Sequence, residues 1–219
     1  MTISPHYQSE AGSAYAGWQL RAMDALGAEA ARRFRPLVKA DDTCLDFGCG
    51  GGRILETLEV GHRIGVEPSE VPAQTARGRG IEVFSMLQDV GDETVDVIIS
   101  NHALEHCREP FRELASMKRV LKPGGRLVLV LPLDDWRRSR RFNPEDVNHH
   151  LFAWTPLLIG NLVTDAGFRV SSITTVRHAY PPGAGILWQH LPEFAFDGIC
   201  RVWSVMALMR QLKVIATRP

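Results

Sequence analysis

Two near-continuous apolar runs, VDVIISN at 95–101 and RLVLVLP at 126–132, constrain the fold of this chain most strongly. A strand that is apolar on both sides has to be buried on both faces, which a sheet covered by helices on each side provides. The segment between them, PFRELASMKRVL, repeats its apolar residues at helical spacing and ends at the turn sequence KPGG. The same alternation runs through the chain. Strand-like TCLDFG, RIGVEP and a weaker IEVFS precede the strong pair, and RVSSITTVR and LKVIATRP follow it. Helical patterns are expected over 13–39, from Arg53 to about Glu59, over Glu70 to Arg77, and over TPLLIGNLVTDAGF, closed by Gly167. Strands alternating with helices predict an α/β fold, a doubly wound, seven-stranded, mostly parallel sheet. Residues 1–40 are expected to form a helical cover, with Tyr15 and Trp18 as lid contacts. Residues 41–219 are expected to form the main domain, with an insertion around 180–210. That insertion holds Trp188, Phe194, Phe196, Trp203, Met206 and Met209, suited to core, pocket wall or a dimer surface.

Composition excludes several classes. With 25 basic and 25 acidic residues among 219, the chain has no net charge to draw it to nucleic acid or an anionic membrane. Cys44, Cys49, Cys107 and Cys200 form no CxxC pair, as expected of buried thiols in a reducing compartment. The polar start MTISPHYQSE lacks the apolar stretch of a signal peptide, and no apolar run is long enough to span a bilayer. A cytoplasmic protein without membrane insertion is expected, acting on a small molecule and not on nucleic acid. A homodimer is compatible with the sequence.

In such sheets ligands sit beyond the carboxyl ends of the strands, where the strand order reverses. LDFGCGGGRIL lies at one such end, with Asp46 before the turn and glycines at 48, 50, 51 and 52. Glycines admit a ligand close to the backbone, and Glu67, closing the next strand, suits the two hydroxyls of a ribose. The G-x-G-G-G spacing departs from the dinucleotide G-x-G-x-x-G, and Asp46 would repel a pyrophosphate. An acid at that point suits an ammonium group. Ribose and amino-acid ammonium on one molecule describe S-adenosylmethionine.

On these residues the chain resembles the class I S-adenosylmethionine-dependent methyltransferases, in their small-molecule branch. The D-x-G-x-G-x-G pattern falls on Asp46, Gly48, Gly50 and Gly52. GVEPSE is similar to the acidic second motif, DVIISNHALEH to the fourth-strand motif and LKPGGRLVLVLP to the fifth, covering roughly 43–132. The resemblance implies a Rossmann-like methyltransferase fold and S-adenosylmethionine as cofactor, leaving S-adenosylhomocysteine as product. It also implies that Gly48, Cys49 and Gly50 face the methionine part and that Asp46 lies near its ammonium. Glu67 would hold the ribose and Pro68 and Ser69 line the adenine. Asp89 would reach the adenine amino group, with a turn-forming acid as the other reading. Asn101 and His102 would lie beneath the sulfonium and open into the acceptor pocket.

Transfer to a hydroxyl acceptor needs a base with a pKa near neutrality, and histidine supplies one. In EDVNHHLFAWTP, His149 and His150 lie on the rim of the expected site. In an extended segment they would point to opposite sides, with His150 favoured as the base and Asp146 holding it. His102 is a third candidate. His102, Glu105 and His106 share one face if that stretch is helical, similar to the E-x-x-E-H of ubiquinone-type O-methyltransferases. A histidine in place of the first acid disfavours a hard ion, and no metal is expected. WRRSRR at 136–141 reads as a solvated loop or as an anion-binding edge for an acidic acceptor. The expected activity is methyl transfer to a small molecule, most often on oxygen: a sugar, a phenolic or polyketide-like metabolite, or a glycan precursor. The competing reading is a non-catalytic S-adenosylmethionine-binding or partner protein of the same fold.

Overall fold

The computed structural model describes residues 10–133, 135, 137, 141–144, 146 and 148–219, and of residues 10–16, 18, 19, 21 and 22 the backbone alone. Seven strands form one sheet in the order β3-β2-β1-β4-β5-β7-β6. They are β1 (Thr43–Phe47), β2 (His62–Val66), β3 (Glu82–Phe84), β4 (Val95–Asn101), β5 (Leu121–Leu133), β6 (Arg169–Val176) and β7 (Arg210–Thr217). All neighbours are parallel except β7, which runs antiparallel to both β5 and β6. The expected mostly parallel, seven-stranded sheet is present. Its order reverses between β1 and β4, so the crevice for a ligand opens where these strands end, beside Asp46 and Asn101.

The sheet divides the core in two. One face packs Leu45, Ile98, Leu127 and Leu129 against Leu114, Met117, Trp154 and Ile159, contributed in part by α4 (Pro110–Val120) and α5 (Pro156–Asp165). The other packs Cys44, Val97, Ile99 and Val128 against Ala30 and Ala31 of α1 (Glu10–Ala31) and Ile54 and Leu55 of α2 (Arg53–Thr57), with Ala76 of α3 (Glu70–Gly78). Both apolar runs that open the sequence argument are therefore covered twice. A third, small cluster joins Leu26 of α1 to Ala184 of α6 (Ala184–His190) and to Phe196 and Cys200 of α7 (Glu193–Met206). The segment after β6 thus folds as two helices beside α1. All four cysteines are free and buried. No described helix is long and apolar enough to cross a membrane.

Local signals account for the boundaries. Thr155 caps α5 by accepting the Leu158 N–H, Pro156 takes the first helical position, and Gly167 at φ 87° closes the helix. There the Gly167 and Phe168 N–H groups donate to Thr164 and Val163, the paired bonds of a left-handed helix terminus. Two expectations shift. The helix read over 13–39 ends at Ala31, and Pro36 sits in a separate 3₁₀ turn, Arg35–Leu37. KPGG does turn the chain, but inside β5: Leu121 pairs with Val95 and the register then jumps to Arg126 opposite Val97.

The glycine turn is fastened to β2. Gly48 and Cys49 both donate their N–H groups to the Val66 carbonyl, at 2.9 and 3.2 Å. Cys49 then lies directly over Gly65, where an added Cβ would stand 2.5 Å from its sulfur. A Gly65→Ala variant is expected to lose about 1–3 kcal/mol in urea denaturation through this overlap. Adding Cys49→Ala should recover most of the loss.

Candidate active site

The turn fastened in this way lines a cavity with Leu20, Met23, Asp46, Gly48, Cys49, Gly50, Gly51, Arg53, Ile54 and Asn101. Leu20 and Met23 belong to α1, so the N-terminal helix forms one wall. Tyr15 and Trp18 have side chains outside the described residues. Two carboxylates set the electrostatics. Asp46, only 2% exposed, has its Oδ1 buried with no hydrogen-bond partner. Burial, then the neighbouring Glu67, push its carboxyl up to about 7. Burial also raises Glu67, opposed by the Ser69 N–H donating to Oε1 at 2.8 Å and the Gly50 N–H donating to Oε2 at 3.1 Å. Gly50 has φ 52°, and a Cβ there would meet nothing within 4 Å, so this backbone borders open space.

Other residues singled out in the sequence fall around this cavity. Ser69 precedes α3 and Pro68 is half-buried, both beyond the residues that line the cavity. Asp89 is exposed at the end of a 3₁₀ turn, Leu87–Asp89, whose Leu87 is buried, and accepts from Ser85 Oγ at 3.5 Å. Asn101 is in the wall, its Oδ1 buried without a partner.

Past Asn101 the chain turns sharply. His102 takes φ 56°, rare for a residue with a side chain, while its N–H donates to the Val130 carbonyl at 2.9 Å. The stretch is not a regular helix. Leu104–His106 forms one 3₁₀ turn with His102 outside it, yet His102 Nδ1 comes to 3.4 Å from Glu105 Oε1. Glu105 is fully buried, neither oxygen receiving a well-aligned hydrogen bond. Burial would raise its pKa, but His102, His106 and His150 together hold it below the usual range. His150 packs its ring against His106 at 5.1 Å, and ligand atoms of Glu105, His106 and His150 all lie within 4.8 Å of one another. Burial above all lowers His106, to about 4.

Sequence reasoning missed this convergence because it needs Leu151 folded back: its N–H donates to the Glu105 carbonyl at 2.9 Å. The expectation of an extended pair at 149–150 fails as well. His149 has φ 45°, and Asp146 accepts backbone N–H groups from Asn148 and His149, which closes a turn. Of WRRSRR, residues 136 and 138–140 lie outside the described residues. Arg137 is folded onto Asp135, with Nε 2.8 Å from Oδ1, and Arg141 is exposed.

A family described as "Methyltransferase domain" matches residues 15–173, most of the chain and all of this site. The chain belongs to this methyltransferase family. It is 29% identical over 141 residues to the Mus musculus protein named probable tRNA methyltransferase 9B, covering 62% of this chain and 31% of that protein. It is 33% identical over 95 residues to the ubiquinone biosynthesis O-methyltransferase of Hahella chejuensis, covering 38% and 40% respectively. The chain thus spans about a third of the length of the first curated relatives it matches. A protein solved in complex with the Haloferax volcanii Trm112 methyltransferase activator shares the fold, with TM-score 0.69 and 19% identity over 96% of this chain and 98% of that one.

The cofactor of a methyltransferase of this class, S-adenosylmethionine, fits the residues present. The unpartnered Asp46 oxygen offers an acceptor for an ammonium, the half-buried Glu67 carboxylate an acceptor for hydroxyls, and Gly50 leaves bare backbone in the same cavity wall. A carboxyl raised to about 7 is protonated below neutrality and must ionise to hold an ammonium. S-adenosylhomocysteine should therefore bind with proton release below about pH 7, its affinity rising up to about tenfold per pH unit toward neutrality. Calorimetry in buffers of different ionisation heat checks this, and Asp46→Asn should flatten the dependence. Without ligand the sign reverses. The folded chain keeps a proton that the unfolded one loses above 3.8, so Asp46 contributes stability that falls as pH rises toward about 7.

Proposed function

We propose that this methyltransferase domain transfers a methyl group from S-adenosylmethionine to an oxygen of a small-molecule acceptor, with His102 as the general base. The observation that carries the base is the pairing of His102 with the wholly buried Glu105 carboxylate, one residue past Asn101 in the cavity wall. A carboxylate facing Nδ1 keeps the proton there and leaves Nε2 as acceptor. The bound cofactor supplies a methyl group on a positively charged sulfur, ready for in-line displacement. The chain aligns and encloses. Asp46 holds the ammonium end, Glu67 the ribose, and the Gly48–Gly50 backbone fixes the cofactor between them. Cys49, Pro68 and Ser69 would complete that cradle, with Asp89 at its adenine end. Leu20 and Met23 of α1 exclude water from one side. Alignment of this kind lowers a barrier by about 7–11 kcal/mol, and a placed base adds about 10²–10⁴ in rate.

His150 and His149 were the other candidates for the base. His150 faces His106 and Glu105, which favours a part in holding the buried cluster, and His149 sits in the turn that Asp146 closes. The zero net charge favours a small acceptor over the tRNA named for the mouse relative. The oxygen acceptor named for the Hahella chejuensis relative supports the O-methyl reading. On this reading the enzyme is cytoplasmic and compatible with a homodimer.

Against a panel of phenolic and sugar acceptors, His102→Ala should lower kcat by about 10²–10⁴ with S-adenosylhomocysteine binding retained. Glu105→Gln should shift the acidic limb of the pH profile. Glu67→Ala should abolish cofactor binding instead. Activity on tRNA alone, or His102→Ala at full rate beside an inactive His150→Ala, would refute the assignment.

A further inference from the structure

Helix α7 is apolar on both sides. Phe196, Cys200 and Ser204 face inward and are buried, with Trp203 half-buried beside them. The opposite arc carries Phe194, Ile199, Val202, Val205 and Met206, exposed by 80%, 38%, 61%, 60% and 71%, and Gly198, whose outer side is open. A helix apolar on two opposite faces needs cover on both, and the single chain covers only one of them.

The flank of that arc is charged in a self-complementary way. Glu193 and Asp197 lie toward the N-terminal end and meet Arg32, the residue directly after α1. Arg201, one turn further along the same flank, is exposed and makes no ion pair among the described residues. A membrane-surface helix would carry basic residues beside its apolar arc, and acids at Glu193 and Asp197 argue against that occupant. A two-fold axis reverses one helix on the other and keeps like flanks on the same side. An antiparallel pair crossing near Gly198 and Ile199 sets Arg201 level with Asp197 of the partner subunit. Phe194 then lies against the turn holding Val205 of the partner subunit, and the gap at Gly198 receives Val202 of the partner subunit.

We infer that α7 is a homodimer interface, formed by antiparallel packing of this arc on a second copy of the chain. The same helix is tied through its inner flank to the wall of the cavity. Arg32 places Nη1 and Nη2 at 3.1 Å from the two Asp197 oxygens, and α1 carries Leu20 and Met23. Dimerisation therefore steadies the helix that covers the cofactor cavity. This coupling rests on the methyltransferase reading, whereas the dimer itself does not.

Sedimentation equilibrium of the full chain without ligand tests it. A dimer with a dissociation constant on the order of a micromolar is expected. Val202→Glu should weaken it about a hundredfold by burying an unpaired charge in the interface, with circular dichroism unchanged because residue 202 is exposed on the single chain, and with melting temperature lowered only at concentrations where the unaltered chain is dimeric. Arg201→Glu should weaken it less, by setting a carboxylate level with Asp197 of the partner subunit. A chain that stays monomeric at about 100 μM overturns the inference. So does a dimer indifferent to both Val202→Glu and Arg201→Glu. Monomeric protein that sediments with phosphatidylcholine and phosphatidylglycerol vesicles, and ceases to do so as Val202→Glu, gives the face to lipid and equally overturns it.

Discussion

The site depends on one close approach, Cys49 packed over the bare backbone of Gly65. The parallel pairing of β1 with β2 puts Asp46 opposite Gly65, so the turn leaving β1 can fold straight across the end of β2. Only then do the Gly48 and Cys49 N–H groups reach the same Val66 carbonyl. With the turn fixed there, the Gly50 N–H meets the Glu67 carboxylate, while Asp46 and Gly50 line the same cavity. Burial then does the electrostatic part. It raises both carboxyls, Asp46 to about 7, which tunes the pair toward a cationic group.

A second constraint operates at the opposite wall. Arg33, two residues past the end of α1, is half-buried, and its Nη2 lies 3.3 Å from Glu29 Oε2, 3.2 Å from the Tyr180 hydroxyl and 3.0 Å from His178 Nδ1. Tyr180 in turn donates to Glu29. Burial, then Arg33, lower the His178 pKa, so the imidazole is neutral within this group at neutral pH and adds no charge beside the guanidinium. A buried ion pair of this kind contributes less to net stability than to uniqueness of arrangement. Here it fixes α1 against the chain that follows β6, and with it the height of Leu20 and Met23 over the cavity.

Past Asn101 the chain is organised by the opposite device, one anion among three imidazoles. Glu105 is fully buried and ionised, and His102, His106 and His150 come from two separated stretches of chain to face it. A positive φ at His102 and another at His149 bring the two stretches together.

The sequence by itself determined the sheet. Apolar runs too continuous for a half-exposed strand require two covered faces, and short-range capping by Thr155 and Gly167 ends a helix wherever it lies. The glycine turn and its two acids were legible for the same reason: positive φ and strand-end position are properties of a few consecutive residues. Tertiary structure alone decided the rest. Glu105 read as one member of a helical face, yet its partner His150 lies 45 residues on and meets it only because Leu151 bonds back to the Glu105 carbonyl. Likewise, no local pattern separates Phe196, which is buried, from Phe194, which is exposed, two residues apart on one helix. Which side faces inward is set by α1 packing from far away in the chain, and long-range contacts leave no period in the sequence to read.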